Sequence, residues 1–221
     1  GKSSCSPKSN CKNGLDNAVG ALAGIANPQL KPAIEKGSVI LVVEFGQFKQ
    51  GPINMAVHQA ELHTSNAKCD HMKAHCKYTA AMSLINAVTC KPKVTMSGTL
   101  SGTKIKAGGK GTVFPFTLPI QPGVSLDISI YNVQIEGNVT VKDGKVTAFS
   151  GLLGGAIPKK SLADAIKALP DDGLPLPKDT ILGIIDSTVD QDQDVDGDGT
   201  KDASSIALKV AGIGATLIDA K

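Results

Sequence analysis

Residues 190 to 205 read DQDQDVDGDGTKDASS, the densest cluster of charge in the chain. Within it, Asp194, Asp196, Asp198, Gly199, Thr200 and Asp202 follow the spacing D-x-D-x-D-G-x-x-D, the first nine positions of an EF-type calcium loop. The spacing has a physical cause. Alternate residues of a tight loop turn their carboxylates inward, glycine makes the sharp turn, and the carbonyl of Thr200 and the side chain of Asp202 add oxygens. Asp190 and Asp192 lie just upstream, so six acids face one Lys201, a crowd of like charge that a divalent cation would neutralise. Position twelve is Ser205 rather than a bidentate Glu, so further oxygens must come from Asp190, Asp192 or a distant loop. Calcium is therefore the expected ion, held at roughly 10⁻⁴ to 10⁻³ M as a structural ion rather than a signal.

A second set of metal-ligating types is His58, His63, His71 and His75, beside Cys69, Met72 and Cys76. On a helix, His71 and His75 would share a face at i, i+4 and could bind copper or zinc. As a loop, the same stretch would be an exposed segment stapled by Cys69 and Cys76. Oxidation removes the thiolates that zinc needs, so thiolate and disulfide readings exclude each other, and only copper held by histidine alone is compatible with both. The remaining cysteines are Cys5, Cys11 and Cys90; the close pairs Cys5/Cys11 and Cys69/Cys76 suit local disulfides, with connectivity open and one thiol left over. Disulfides place the chain in an oxidising, extracytoplasmic compartment.

Other signatures of chemistry are missing. There is no G-x-S-x-G elbow and no H-E-x-x-H, and no histidine lies outside residues 58 to 75 to act as a remote base. Gly108-Gly109-Lys110-Gly111 lacks the Ser or Thr of a phosphate loop, and Gly212-Ile213-Gly214 lacks a third glycine, so both read as turn or strand glycines. We expect a protein that is not an enzyme. All 23 basic residues are Lys, and there is no Trp, which removes the forked donors and much of the stacking surface used on nucleic acids. Residues 1 to 110 carry 14 Lys against 5 acids and the remainder 9 against 15, but the lysines are scattered and read as a solvated face.

These residues must be positioned by a β-rich scaffold. The 221-residue chain is 41% hydrophobic and 19% charged, with 24 Gly and 12 Pro, too apolar for disorder and too interrupted for a helical bundle. Strands are expected at 38 to 46, from 53, and over 94 to 105, where apolar and hydroxyl residues alternate. Further strands are expected over 124 to 141, with a change of parity and a bend at Tyr131-Asn132, and from 146 after an Asp143-Gly144 hairpin turn. The last strand is expected over 205 to 218. Leu15, Ala18, Val19 and Leu22 mark a helix ending before Asn27-Pro28. Two more carry Leu162, Ala165, Ile166 and Leu169 behind a Ser161/Asp164 cap pair, and Ile181, Ile184 and Ile185 after Asp179. The expected architecture is mainly β: one antiparallel β sandwich or curved sheet with two to three short covering helices. Residues 1 to 14 would be a polar tether and 15 to 221 a single domain with the calcium-type loop at 190 to 205. No apolar run is long enough for a transmembrane helix, and we expect any signal peptide to have been removed before Gly1.

The segments GLLGGAIPKKSLADAIKALPDD, LPLPKDTILGIIDS and DVDGDGTKDASSIALKVAGIGATL resemble uncharacterised secreted proteins and lipoproteins of myxobacteria and related bacteria. In that family a D-x-D-G-D-G-x-x-D loop precedes a final strand. The resemblance implies a bacterial envelope, cell-surface or secreted location and no particular activity. KSSC departs from a lipobox, so if the precursor is anchored we expect its anchoring cysteine before Gly1. The expected function is a non-enzymatic, calcium-stabilised module for surface structure or for interaction with a protein or envelope partner, with self-assembly through strand edges or a spare cysteine. The alternatives are a carrier of an apolar or lipid ligand and a copper or zinc binder through residues 58 to 75.

Overall fold

The computed structural model describes residues 17–46, 48–66, 68–121, 123–171 and 174–220. The expected tether and the Cys5/Cys11 pair lie outside them. The chain is mainly β, as expected. Its strands are β1 (Ile40–Phe45), β2 (Gly51–Leu62), β3 (Lys77–Ala80), β4 (Thr95–Ser101), β5 (Lys104–Gly108), β6 (Val113–Gln121), β7 (Val124–Lys142), β8 (Lys145–Pro158), β9 (Ala203–Ile213) and β10 (Thr216–Ala220). Its α-helices are α1 (Ala23–Glu35), α2 (Lys159–Ala168) and α3 (Lys178–Thr188). The strands form one sheet in the order β10-β3-β2-β4-β5-β7-β8-β9, with β1 paired to β2 and β6 to β7 off that path. The sheet is mixed, because β10 lies parallel to β3. Two strands so far apart in sequence are free of the antiparallel constraint that a hairpin imposes.

The chain forms two compact units. One takes in the described residues up to Pro32, Val113–Val133 and Gly154–Leu208; the other takes in Ala33–Thr112, Gln134–Leu153 and Lys209–Lys221. The first unit buries Phe114, Leu126, Ile130 and Val133 from its strands and Leu162, Ile166, Ile181 and Ile185 from α2 and α3. Helix α2 starts at Lys159, directly after Pro158, so Ser161 stands inside the helix rather than at its cap. The fixed φ of Pro158 and the Lys159 N–H bond to the Asp202 carbonyl (3.2 Å) set the start three residues early. Asp164 pairs instead with Lys160, one turn back. Leu162 and Ile166 are buried one turn apart, and Pro170 follows the end of the helix. Helix α3 buries Ile181 and Ile185 and delivers the chain to Val189, the residue before the acidic stretch.

The helix expected before Asn27-Pro28 is a 3₁₀ turn, Ala18–Leu22, and α1 then runs through Pro28 and Pro32. Each proline removes one helical hydrogen bond, to the carbonyls of Gly24 and Pro28. Both residues are exposed and α1 buries no residue, so nothing in a packed core is disturbed.

In the second unit, β2 pairs with β1 along Met55–Ala60, with β4 along Gly51–Ala56 and with β3 along Ala60–Leu62. Ile40, Val42, Ala60, Cys76 and Tyr78 form a buried cluster, with Leu217 of β10 packed against it. The strand expected over 94 to 105 is a hairpin, since Gly102 (φ +60°) takes the first position of a two-residue turn closed by Ser101 and Lys104. The strand expected over 205 to 218 likewise breaks at Gly214-Ala215 into β9 and β10.

The other local expectations hold. Along β7 the buried positions switch from Leu126 and Ile130 to Val133, Ile135 and Val139, and Asn132 between them has φ +53°. Asp143 (φ +51°) and Gly144 (φ +72°) are both left-handed, as a type I′ turn requires. In the glycine cluster at the end of β5, Gly108, Gly109 and Gly111 all have positive φ, in keeping with a turn.

Candidate metal centre

The acidic loop is closed at its neck by backbone. Gln193 N–H donates to Ala203 O (2.9 Å) and Ala203 N–H to Gln193 O (3.1 Å), while Asp192 N–H reaches Ala203 O at 3.0 Å. Asp202 N–H adds a bond to Gln193 O at 3.1 Å. Residues 194–202 therefore leave and return at one point. Inside, Asp194 accepts Gly197 N–H on Oδ1 (2.7 Å) and Gly199 N–H on Oδ2 (3.0 Å). Asp196 Oδ1 accepts Asp198 N–H (3.2 Å), and Asp198 Oδ1 accepts Thr200 N–H (2.6 Å). Gly197 and Gly199 have φ of +86° and +90°, a conformation that L side chains rarely take.

This winding brings one oxygen each from Asp194, Asp196 and Asp198 to within 4.8 Å of one another, with all three residues exposed. The Gly197 and Gly199 amides hold the Asp194 carboxyl below its ordinary value of 3.8. Three ionised carboxylates at this separation repel each other, and hard oxygen donors with open solvent above them suit a hard divalent cation. The cluster could hold a metal ion.

The other expected ligands sit differently. Asp192 commits both oxygens to Ser205, Oδ1 to its N–H (2.7 Å) and Oδ2 to its hydroxyl (2.6 Å). Ser205 is buried and accepts Ala18 N–H on Oγ (3.0 Å), so position twelve of the motif is a structural node. Asp202 offers its carbonyl to Lys159 N–H (3.2 Å) and Gln191 Nε2–H (3.2 Å), and its Oδ1 is buried without a partner. Asp190 and Asp202 stand outside the converging group, and Thr200 donates its N–H into the loop. The roles of Gln193, Ala203 and Ala18 carried no signal in the sequence, because they act through backbone atoms.

The four histidines do not meet. Among the described residues none belongs to a group of three or more potential ligands. His58 is buried on β2 and donates Nε2–H to Glu44 (3.1 Å), leaving Nδ1 without a partner. His63 bonds Ser65 through Nδ1 (2.7 Å to Oγ). His71 gives Nε2–H to the Ile34 carbonyl (2.7 Å), and His75 Nε2 meets Thr216 Oγ1 (2.8 Å). Residues 71–76 form no helix, and Cys69 and Cys76 are joined by a disulfide with 5.9 Å between Cα atoms. Cys90 is free and exposed.

An open groove of about 500 Å³ lies within the second unit over β4, β5, β7 and β8, bordered by Thr99, Lys104, Lys106 and Glu136 together with Ile105 and Leu152. Among the described residues no helix is long and apolar enough to cross a membrane. No protein-family model matches the chain, and neither a curated protein nor a solved structure matches it significantly.

Proposed function

We propose that this chain is a non-enzymatic, extracytoplasmic module in which calcium stabilises the loop before β9, and that it serves surface structure or interaction with an envelope partner. The observation carrying this reading is the convergence of Asp194, Asp196 and Asp198 in a loop whose neck is closed by Gln193 and Ala203. A pre-wound oxygen cluster lowers the conformational entropy lost on binding, and the motif suits calcium over magnesium because calcium accepts six to eight oxygens in irregular geometry, whereas magnesium demands a near-ideal octahedron and sheds its water reluctantly. The Cys69–Cys76 disulfide is compatible with an oxidising exterior. The resemblance to secreted myxobacterial proteins adds the same address. The groove is open to solvent rather than enclosed, so it does not shield an apolar ligand and lends the carrier reading no support.

Calorimetry with calcium chloride, beside thermal melts in calcium or magnesium, tests the reading. We expect heat of binding in the millimolar to sub-millimolar range, a rise in Tm with calcium greater than with magnesium, and loss of both in Asp194→Asn. No heat and no rise in Tm at millimolar calcium would refute the assignment.

A further inference from the structure

The neck of the acidic loop also holds the start of the described chain. Asn17 donates Nδ2–H to the Ala207 carbonyl (3.2 Å) and accepts Ala207 N–H on Oδ1 (3.3 Å), so its amide pairs with β9 as a strand residue would. One residue on, Ala18 N–H donates to Ser205 Oγ, and Ala18 is 1% exposed. The Ser205 hydroxyl commits its proton to Asp192 Oδ2, which orients an oxygen lone pair toward Ala18. Asp192 is fixed in turn by its own N–H bond to Ala203, beside the Gln193–Ala203 neck. All of these residues belong to the first unit.

We infer that residues 17–22 are a releasable arm, latched to β9 by Asn17 and Ala18, and that the neck controls the latch through Asp192 and Ser205. If the neck opens, Asp192 leaves Ser205, nothing then fixes the Ser205 rotamer, Oγ swings away, and the buried Ala18 N–H loses its acceptor. An unpaired buried N–H is unfavourable enough to favour undocking of a segment that contributes only Ala18 to the buried core. The coupling is reciprocal: whatever closes the neck docks the arm, and docking the arm favours a closed neck. The latch follows from the hydrogen bonds alone and stands whichever ion the loop takes. Calcium is one means of closing the neck.

Hydrogen exchange read by mass spectrometry on the full chain tests this, with limited proteolysis across 17–35 as a second readout. Asp192→Asn and Ser205→Ala are compared with wild type, and Asn17→Ala serves as a milder variant on the arm itself. The expected result is exchange about tenfold faster at 18–22 in Asp192→Asn and Ser205→Ala, earlier cleavage in the same segment, and unchanged exchange in β4 and β5. Exchange at 18–22 no faster than wild type in all three variants would overturn the latch, as would a rise shared equally by β4 and β5. Where calorimetry shows that calcium binds, wild-type protection at 18–22 should rise about fivefold or more. Binding without any change at 18–22 would overturn control by the neck while leaving the calcium assignment intact. Absence of calcium binding would remove that assignment and leave the latch to be decided by the variants.

Discussion

Gly137 on β7 and Gly151 on β8 approach so closely that neither can carry a side chain. A Cβ on Gly137 would lie 2.4 Å from Ser150 O and 2.7 Å from Gly151 Cα, and one on Gly151 would lie 2.3 Å from Glu136 O and 2.6 Å from Gly137 Cα. The Phe149 ring borders both positions, at 2.7 and 2.8 Å, so an aromatic covers the bare backbone. Gly151→Ala forces two backbones apart and should destabilise the fold by about 2–3 kcal/mol. Gly24→Ala, in exposed α1 with nothing near its Cβ, should be neutral or stabilising by up to about 1 kcal/mol. Denaturant melts of the two variants check the contrast, and equal midpoints would contradict it.

The Asp194 carboxyl is held low by the Gly197 and Gly199 amides, so the charged form is favoured in the folded loop. A depressed carboxyl contributes stability that is fully present above the unfolded value, near 3.8, and is lost as pH falls through the lower folded value. The order of the loop should therefore be unchanged from roughly pH 5 to pH 8 and fail only in acid below about pH 4. Asp194→Asn should show faster exchange at 196–200 throughout the neutral range. Hydrogen exchange at pH 5, 6 and 7 tests this, and a variant indistinguishable from wild type would show that the two amide bonds do not hold the loop.

The buried His58 depends on Glu44, whose side chain is about half exposed. With Nδ1 already unpartnered, Glu44→Ala would leave both ring nitrogens without partners in a residue that is 1% exposed. The expected loss is about 1–3 kcal/mol, unusual for truncating a half-exposed side chain. Glu44→Gln keeps an acceptor oxygen and should lose less, and Glu61→Ala, exposed on β2, should stay within about 0.5 kcal/mol. Chemical denaturation of the three variants ranks them, and a silent Glu44→Ala would deny the pair a structural role.

What could be read from the sequence follows how locally each feature is determined. The bend at Asn132, the Asp143-Gly144 turn and the winding of 194–200 depend on neighbours a few residues apart, and the alternation of types exposes them. The start of α2 depends on Asp202 meeting Lys159, forty-three positions away, and so Ser161 looked like a cap. The histidines look like ligands because they crowd together in sequence. Pairing then sends His58 to Glu44 on β1, His71 to Ile34 and His75 to Thr216, three destinations that no spacing encodes. Ser205 is the instructive case. Its departure from the motif signals a missing metal ligand, and only the fold shows that the hydroxyl serves Asp192 and Ala18 instead.

The disulfide and β10 form one structural element in the second unit. Cys76 is fully buried, and its carbonyl accepts Thr216 N–H (3.0 Å), the first bond of the parallel β10–β3 ladder. His75, inside the stapled loop, meets Thr216 again through Oγ1. Closing so short a loop restricts the unfolded chain by about 2–3 kcal/mol. Without the bond, residues 69–76 gain freedom next to the only strand that pairs with β10 among the described residues. Cys69→Ser combined with Cys76→Ala, the latter keeping the buried site apolar, should therefore raise exchange first at 216–220 and leave β4–β5 near wild type. His75→Ala, with the disulfide intact, should loosen 216–220 more weakly. If the double variant loses stability uniformly across the second unit, the staple acts on the unfolded chain alone and β10 is held independently of it.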